Sequence, residues 1–227
     1  MLSKDDRERV IRHAPILRFD RNEPFLPSKV GVEVFRRPEP SPSFPRIVDV
    51  PDNASYTVEY AIWWDWDIQH LYELEHVWVS VDEEDNVVGV EGSWHGTYRR
   101  FPTWEEVEGH PVLYSQPGKH AIAFDPREFP IYDTVEACTH KAGSMGLLVK
   151  EMFVHELPHK RRSIDQRVRE YLKEKAFKPT FEFEKIYAFP EDAFMNWHEL
   201  KEYIPQRVRQ ILRELRNQRR SHRWFLT

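Results

Sequence analysis

Cysteine is all but absent: Cys138 is the only one in 227 residues. A single thiol cannot form an intramolecular disulfide, so the fold must hold without covalent cross-links and does not lean on an oxidising compartment. Long hydrophobic runs are missing too, and no stretch approaches the roughly 18 apolar residues of a membrane helix. The N-terminal segment Met1-Leu2-Ser3-Lys4-Asp5-Asp6-Arg7-Glu8 is charged where a secretory signal would carry an apolar stretch. These absences lead to the expectation of a cytoplasmic protein with no membrane span. Charge of one sign is also lacking. The 33 Lys and Arg against 38 Asp and Glu leave a net charge of -5, so the chain as a whole gives no argument for binding nucleic acid or a membrane surface. Glycine is scarce, 8 against 17 prolines, which favours stiff connections.

What is present is strand-forming material. Aromatic residues make up 14% of the chain, with 8 Trp, a composition suited to half-buried strands. Residues 56–67 carry Tyr56, Val58, Tyr60, Ile62, Trp64 and Trp66 on one face of a strand. Further strands are expected over 14–19, 75–82, 87–95, 112–115, 119–124 and 181–188. The acidic run Asp82-Glu83-Glu84-Asp85 forms a hairpin turn, and the four prolines of 36–46 form an extended loop. Helices are expected over 3–12 (capped by Ser3), 133–140 and 163–175 (capped by Ser163), and from Asn196 onward, with Pro205 breaking that last helix or opening a second one. Short consecutive strands with tight turns indicate a mainly β fold: an antiparallel β-sandwich with peripheral and C-terminal α-helices. The division expected is a sandwich domain over 1–178, then a strand and helical extension over 179–227 packed on the same body.

Asp65, Asp67, His70, Glu73, Glu75 and His76 place six potential metal ligands within twelve positions. Glu73 and Glu75 are two apart, so on a strand they share a face, while His76 points to the other. Two carboxylates on one face repel unless a positive charge lies between them, and a divalent cation supplies it. Carboxylates with one imidazole suit Mg, Mn or Ca, with Zn as the lesser alternative. The plain alternative is a charged edge strand with a hydrogen-bonded histidine. Against it stand the neighbours Trp63, Trp64, Trp66, Leu71, Leu74 and Trp78, a poor setting for a solvated face. Of the later strand histidines, His95 is flanked by Gly92 and Gly96, which permit a bulge or a close ligand approach.

Residues 60–125 resemble the core of the necrosis- and ethylene-inducing-like proteins. That family carries Gly-His-Arg-His-Asp-Trp-Glu-His before a hydrophobic strand. Here the stretch reads Gln69-His70-Leu71-Tyr72-Glu73-Leu74-Glu75-His76, followed by Val77-Trp78-Val79. Ser93-Trp94-His95-Gly96, His110-Pro111-Val112-Leu113-Tyr114 and His120-Ala121 match later family segments in order and spacing. Plant and fungal proteins related to a vacuolar sorting component are similar over the same motifs. The resemblance implies a β-sandwich whose rim holds a divalent cation in an acidic cleft. The family's ligands fall on His70, Glu73 and Glu75, with an upstream Asp at Asp67 or Asp65. Glu73 stands where the family has Asp and Leu74 where it has Trp. The single cysteine and the missing signal depart from the secreted, disulfide-bearing toxins of the family.

Together these readings place Asp67, His70, Glu73 and Glu75 around an ion, with His95 and His120 as acid/base or ligand-orienting groups. The function expected is metal-activated hydrolysis of an unidentified substrate. The alternative is a non-catalytic module in which the ion bridges the protein to a small molecule, glycan or lipid headgroup. A third alternative is a zinc protease through His155-Glu156-Leu157-Pro158-His159. A helix is needed there to bring both histidines to one face, and Pro158 opposes it at a cost of about 3 kcal/mol or more. Arg207, Arg209, Arg213, Arg216, Arg219, Arg220 and Arg223 could track phosphates. Ile204, Val208, Ile211, Leu212 and Leu215 recur beside them at helical spacing, which makes the arginines mainly the solvated face of a docked helix.

Overall fold

The ladder that organises the molecule is the one the aromatic residues build. In the computed structural model, which describes residues 3–148, 151–153, 155–157 and 161–224, β5 (Tyr56–Trp66) pairs antiparallel with β6 (Leu71–Val81) along almost its whole length. All eleven residues of β5 except Asp65 are buried, as expected of a strand covered on both faces. On one side β2 (Lys29–Phe35) pairs with β5, and β13 (Phe194–Asn196) joins β2 in parallel. On the other side β7 (Val87–Trp94) and β8 (Thr97–Arg100) continue from β6.

A second sheet runs β11 (Ile122–Ala123), β10 (His110–Ser115), β1 (Ile16–Phe19), β12 (Lys185–Tyr187), with β9 (Glu105–Val107) also pairing β10. A small ribbon of β3 (Glu39–Pro40) and β4 (Ile47–Val48) lies in the proline loop. Leu17, Phe19, Leu113 and Ile122 of the second sheet share one apolar cluster with Val32, Val58, Tyr60 and Val77 of the first. The helices are α1 (Lys4–Arg12), α2 (Ile131–Cys138), α3 (Arg162–Glu174) and α4 (Trp197–Trp224). The architecture is therefore mainly β, mostly antiparallel, with peripheral helices and a long C-terminal one; the parallel pairs β1–β10 and β2–β13 are the exceptions.

Two close approaches show how the layers meet. A Cβ on Gly92 of β7 would lie 3.0 Å from Ile122 Cγ2, which marks contact between the two sheets. A Cβ on Gly31 of β2 would lie 2.7 Å from Leu200 Cδ2, so α4 covers the opposite face of the first sheet there. The segment after residue 178 contributes β12 to the second sheet, and β13 and α4 to the first.

Several local expectations are corrected. Strand β6 begins at Leu71 rather than Glu75, because Trp64 and Trp66 offer ladder partners to Glu73 and Leu71. Only Ile122–Ala123 of 119–124 and Lys185–Tyr187 of 181–188 are strand, and the left-handed backbone of His120 (φ 67) and Phe181 (φ 58) accounts for the shortening. Helix α3 starts at Arg162, with Arg161 at its N-cap and no side-chain cap, so Ser163 does not cap it. Pro205 lies inside the single helix α4. Ile204, Val208, Ile211 and Leu215 are buried along that helix, and their burial offsets the hydrogen bond that proline removes. Strand β2 is an interior strand of the first sheet, between β13 and β5, in a segment with no expected strand.

Candidate metal centre

The connection between β5 and β6 is four residues long and builds the centre. Asp67 N–H donates to His70 O at 3.0 Å, while Asp67 Oδ1 accepts the Gln69 N–H at 2.6 Å. This Asx-type turn fixes the aspartate locally. Leu71 N–H then donates to Gly146 O at 3.0 Å, which draws the segment around residue 146 alongside His70.

The turn and the start of β6 bring three buried donors together. His70 Nε2 lies 3.7 Å from Asp67 Oδ1 and 3.6 Å from Glu73 Oε2. One ligand atom from each of the three lies within 4.8 Å of the other two, and this is the only such cluster among the described residues. All three residues are at most 4% exposed. His70 Nδ1 faces Leu71 O at 3.4 Å, which leaves Nε2 for the cluster. Lys119 Nζ lies 2.6 Å from Asp67 Oδ2. Burial alone would push the Asp67 carboxyl up, but His70, Lys119 and His120 outweigh it and hold it well below the usual carboxylate range.

Glu75 shares the strand face of Glu73, yet it lies beside the cluster rather than within it. Ser93 Oγ donates to Glu75 Oε2 and accepts the His76 N–H at 2.6 Å. Glu75 Oε1 lies 3.6 Å from His95 Nδ1. The other ring nitrogen of His95 donates to Gln116 Oε1 at 2.9 Å, and Gln116 Nε2 in turn donates to Thr134 Oγ1 at 2.8 Å. This chain fixes the His95 tautomer and leaves Nδ1 toward Glu75. Burial, and then the charge of Lys119, lower the His95 pKa.

His120 lies behind the centre and does not line the cleft. It is fully buried, stacked on Trp64 with ring centroids 4.8 Å apart, and its Nε2 lies 3.5 Å from Glu23 Oε1. Glu23 Oε2 accepts the Gly118 N–H at 2.6 Å, so His120 and Glu23 hold the 116–120 turn that carries Lys119. His76 lies across the strand from Glu73 and Glu75: Nε2 is 2.9 Å from Ser43 Oγ, and the ring stacks on Trp78. Asp65 is taken up by Arg207, at 2.6 Å from Nη2. His155 and Glu156 are exposed residues of a turn, not of a helix; Pro158 and His159 lie outside the described residues.

His70, Glu73, Glu75 and His95 line a cleft of about 520 Å³ together with Lys119, Phe44 and Met152. Six non-glycine residues have left-handed backbone among those described, and Tyr72 (φ 55), His95 (φ 47) and His120 (φ 67) are three of them. Such residues cost about 1–3 kcal/mol each and gather where a site constrains the chain. Lys119 is a site residue that no sequence motif marks. Its one signal is its place after Gly118 in a tight turn, where a strand over 119–124 is expected and only Ile122–Ala123 forms one.

No protein-family model matches this chain, no curated protein matches it, and no solved structure matches it. What the chain does must be read from its own side chains.

Proposed function

We propose that the chain is a divalent-metal-binding β protein that carries out metal-activated hydrolysis in this cleft, with Asp67, His70 and Glu73 holding the ion. The observation that carries the reading is the convergence of three buried donors at 3.6–3.7 Å about His70 Nε2. Two carboxylates and one imidazole favour Mg, Mn or Ca, since a closed zinc site draws four ligands, mostly Cys and His. A bound divalent ion supplies Lewis acidity and lowers the pKa of a coordinated water. The protein's part is positional. His95 Nδ1, oriented through Gln116 and Thr134, takes a proton at the cleft wall, and Glu75 stabilises the imidazolium. Lys119 places a positive charge beside Asp67, where an anionic group on a substrate would lie.

A second reading shares the ion but not the reaction: a metal-bridged binding module. Its support is the apolar wall of the cleft, where Met145 and Met152 are 40% and 38% exposed. Such thioethers adapt to ligands rather than position a reacting group.

The test is calorimetric titration of the full chain with manganese and with calcium, alongside thermal unfolding. One ion per chain is expected. At a hundred times the dissociation constant the gain is about 2.7 kcal/mol, a rise of roughly 5–10 °C for a chain of this size. No heat and no thermal shift with Mg, Mn, Ca or Zn overturns the proposal.

A further inference from the structure

The residues around the metal centre carry information about what else enters the cleft. Phe44, Leu74, Met145, Leu148, Met152 and Phe153 make up an apolar wall facing the polar groups. Part of that wall is fixed. Phe44 sits edge-on to His76 and Trp78 at 5.0 and 5.3 Å, and Phe153 is edge-on to Tyr72 at 6.3 Å. The other part is soft: Met145 and Met152 are two of only four methionines in the chain, and both are exposed at the cleft. The polar lining is tied into pairs instead, Lys119 with Asp67, His70 with Glu73, and His95 with Glu75.

A glycan would meet a different surface. Sugar rings need flat stacking faces ringed by hydrogen-bonding groups, whereas this wall offers thioethers, aliphatic branches and ring edges. A wholly apolar ligand would leave the polar groups desolvated and unmatched. At about 520 Å³ the cleft has the size of a small-molecule site, and its apolar lining with a few convergent polar groups has the same character. A ligand that satisfies both walls has one apolar body and one compact polar head.

We infer that the cleft takes an amphipathic acid, an alkyl or aryl chain ending in a carboxylate or phosphate, with its head at the metal and Lys119 and its chain against Met145, Met152 and Phe153. This rests on the proposed metal centre, because an anionic head beside Asp67, Glu73 and Glu75 needs a cation there. Lys119 supplies one positive charge on the same side.

The experiment is titration of the full chain with manganese alone, followed by titration of the manganese-loaded protein with acetate, hexanoate, octanoate and decanoate. The manganese isotherm tests the metal centre by itself. The series is expected to tighten by roughly fourfold for each methylene that the cleft buries. The double variant Met145→Gln, Met152→Gln changes only exposed side chains and adds no charge near the ion. It should weaken decanoate at least tenfold while leaving the manganese affinity within twofold. A normal manganese isotherm with a flat chain-length series, or with decanoate binding unchanged in the double variant, overturns this inference and leaves the metal centre standing. Decanoate binding that is equally tight without manganese also overturns it, as does tighter binding of decylamine to the metal-free protein. Absence of a manganese isotherm removes both.

Discussion

Lys119 Nζ sits 2.6 Å from Asp67 Oδ2 in a setting where Asp67 is fully buried. The lysine therefore acts in two opposed ways: it neutralises the aspartate in the metal-free protein, and it repels a cation arriving at the same carboxylate.

Lys119→Met separates the two effects. Without the ammonium, the buried carboxylate loses its partner, and the metal-free variant should lose about 3–5 kcal/mol of stability. Its affinity for manganese should rise by about tenfold or more, since a like charge near the ion is gone. Thermal unfolding with and without manganese reads both. A variant less stable in both states, with no gain in affinity, means that Lys119 does not face the ion.

Glu59 gives a pH signature independent of the centre. It is buried and accepts hydrogen bonds from Ser43 Oγ at 2.6 Å and Trp78 Nε1 at 2.8 Å. Burial raises its pKa despite those bonds. A carboxyl with a raised folded pKa contributes stability that is fully present below its unfolded value, about 4.3 for glutamate. That stability is lost as the pH climbs through the folded value. Glu59→Gln should therefore gain on the wild type in melting temperature as pH rises from 4 to 7. A constant difference across that range contradicts the assignment.

Gly92 tests the contact between sheets. A Cβ there would lie 2.5 Å from Phe101 Cζ and 3.0 Å from Ile122 Cγ2. Gly92→Ala should cost about 1–3 kcal/mol by overpacking and leave manganese affinity unchanged. Full stability in denaturant titration would mean that the sheets do not meet at β7 and β11.

Much of this was legible in the chain. The dense strand-forming runs of Tyr56 to Trp66 and of Val77 to Val81 announce β5 and β6, because strands covered on both faces carry apolar or aromatic residues at most positions. The turn between them was readable as an acidic and histidine-rich patch, and Asp67, His70 and Glu73 do converge there. Other features were not legible because they depend on distant partners. Val30, Val32 and Val34 alternate as a strand should, yet only pairing with both β5 and β13 shows β2 to be an interior strand. Pro205 reads as a break, whereas the buried face of α4 carries the helix through it. Glu75 shares a face with Glu73, but Ser93 and His95, some twenty positions further on, draw its carboxylate aside. Ser43 reaches Glu59 and His76 from inside a proline loop that carries no pattern of its own.

The histidine pair in the 155–159 segment gives a simple control. Glu156 is an exposed turn residue, so Glu156→Gln should leave metal content and affinity at wild-type values. Loss of a bound ion in that variant would move the centre to this segment.

The most direct test of the central claim is manganese titration of Glu73→Gln beside Glu75→Gln, each a near-isosteric change on the same strand face. If Asp67, His70 and Glu73 hold the ion, Glu73→Gln weakens binding by roughly a hundredfold or more, while Glu75→Gln, altering a neighbour of the ligands, weakens it by about tenfold or less. Wild-type affinity retained in Glu73→Gln, or the larger loss falling on Glu75→Gln, contradicts the assignment.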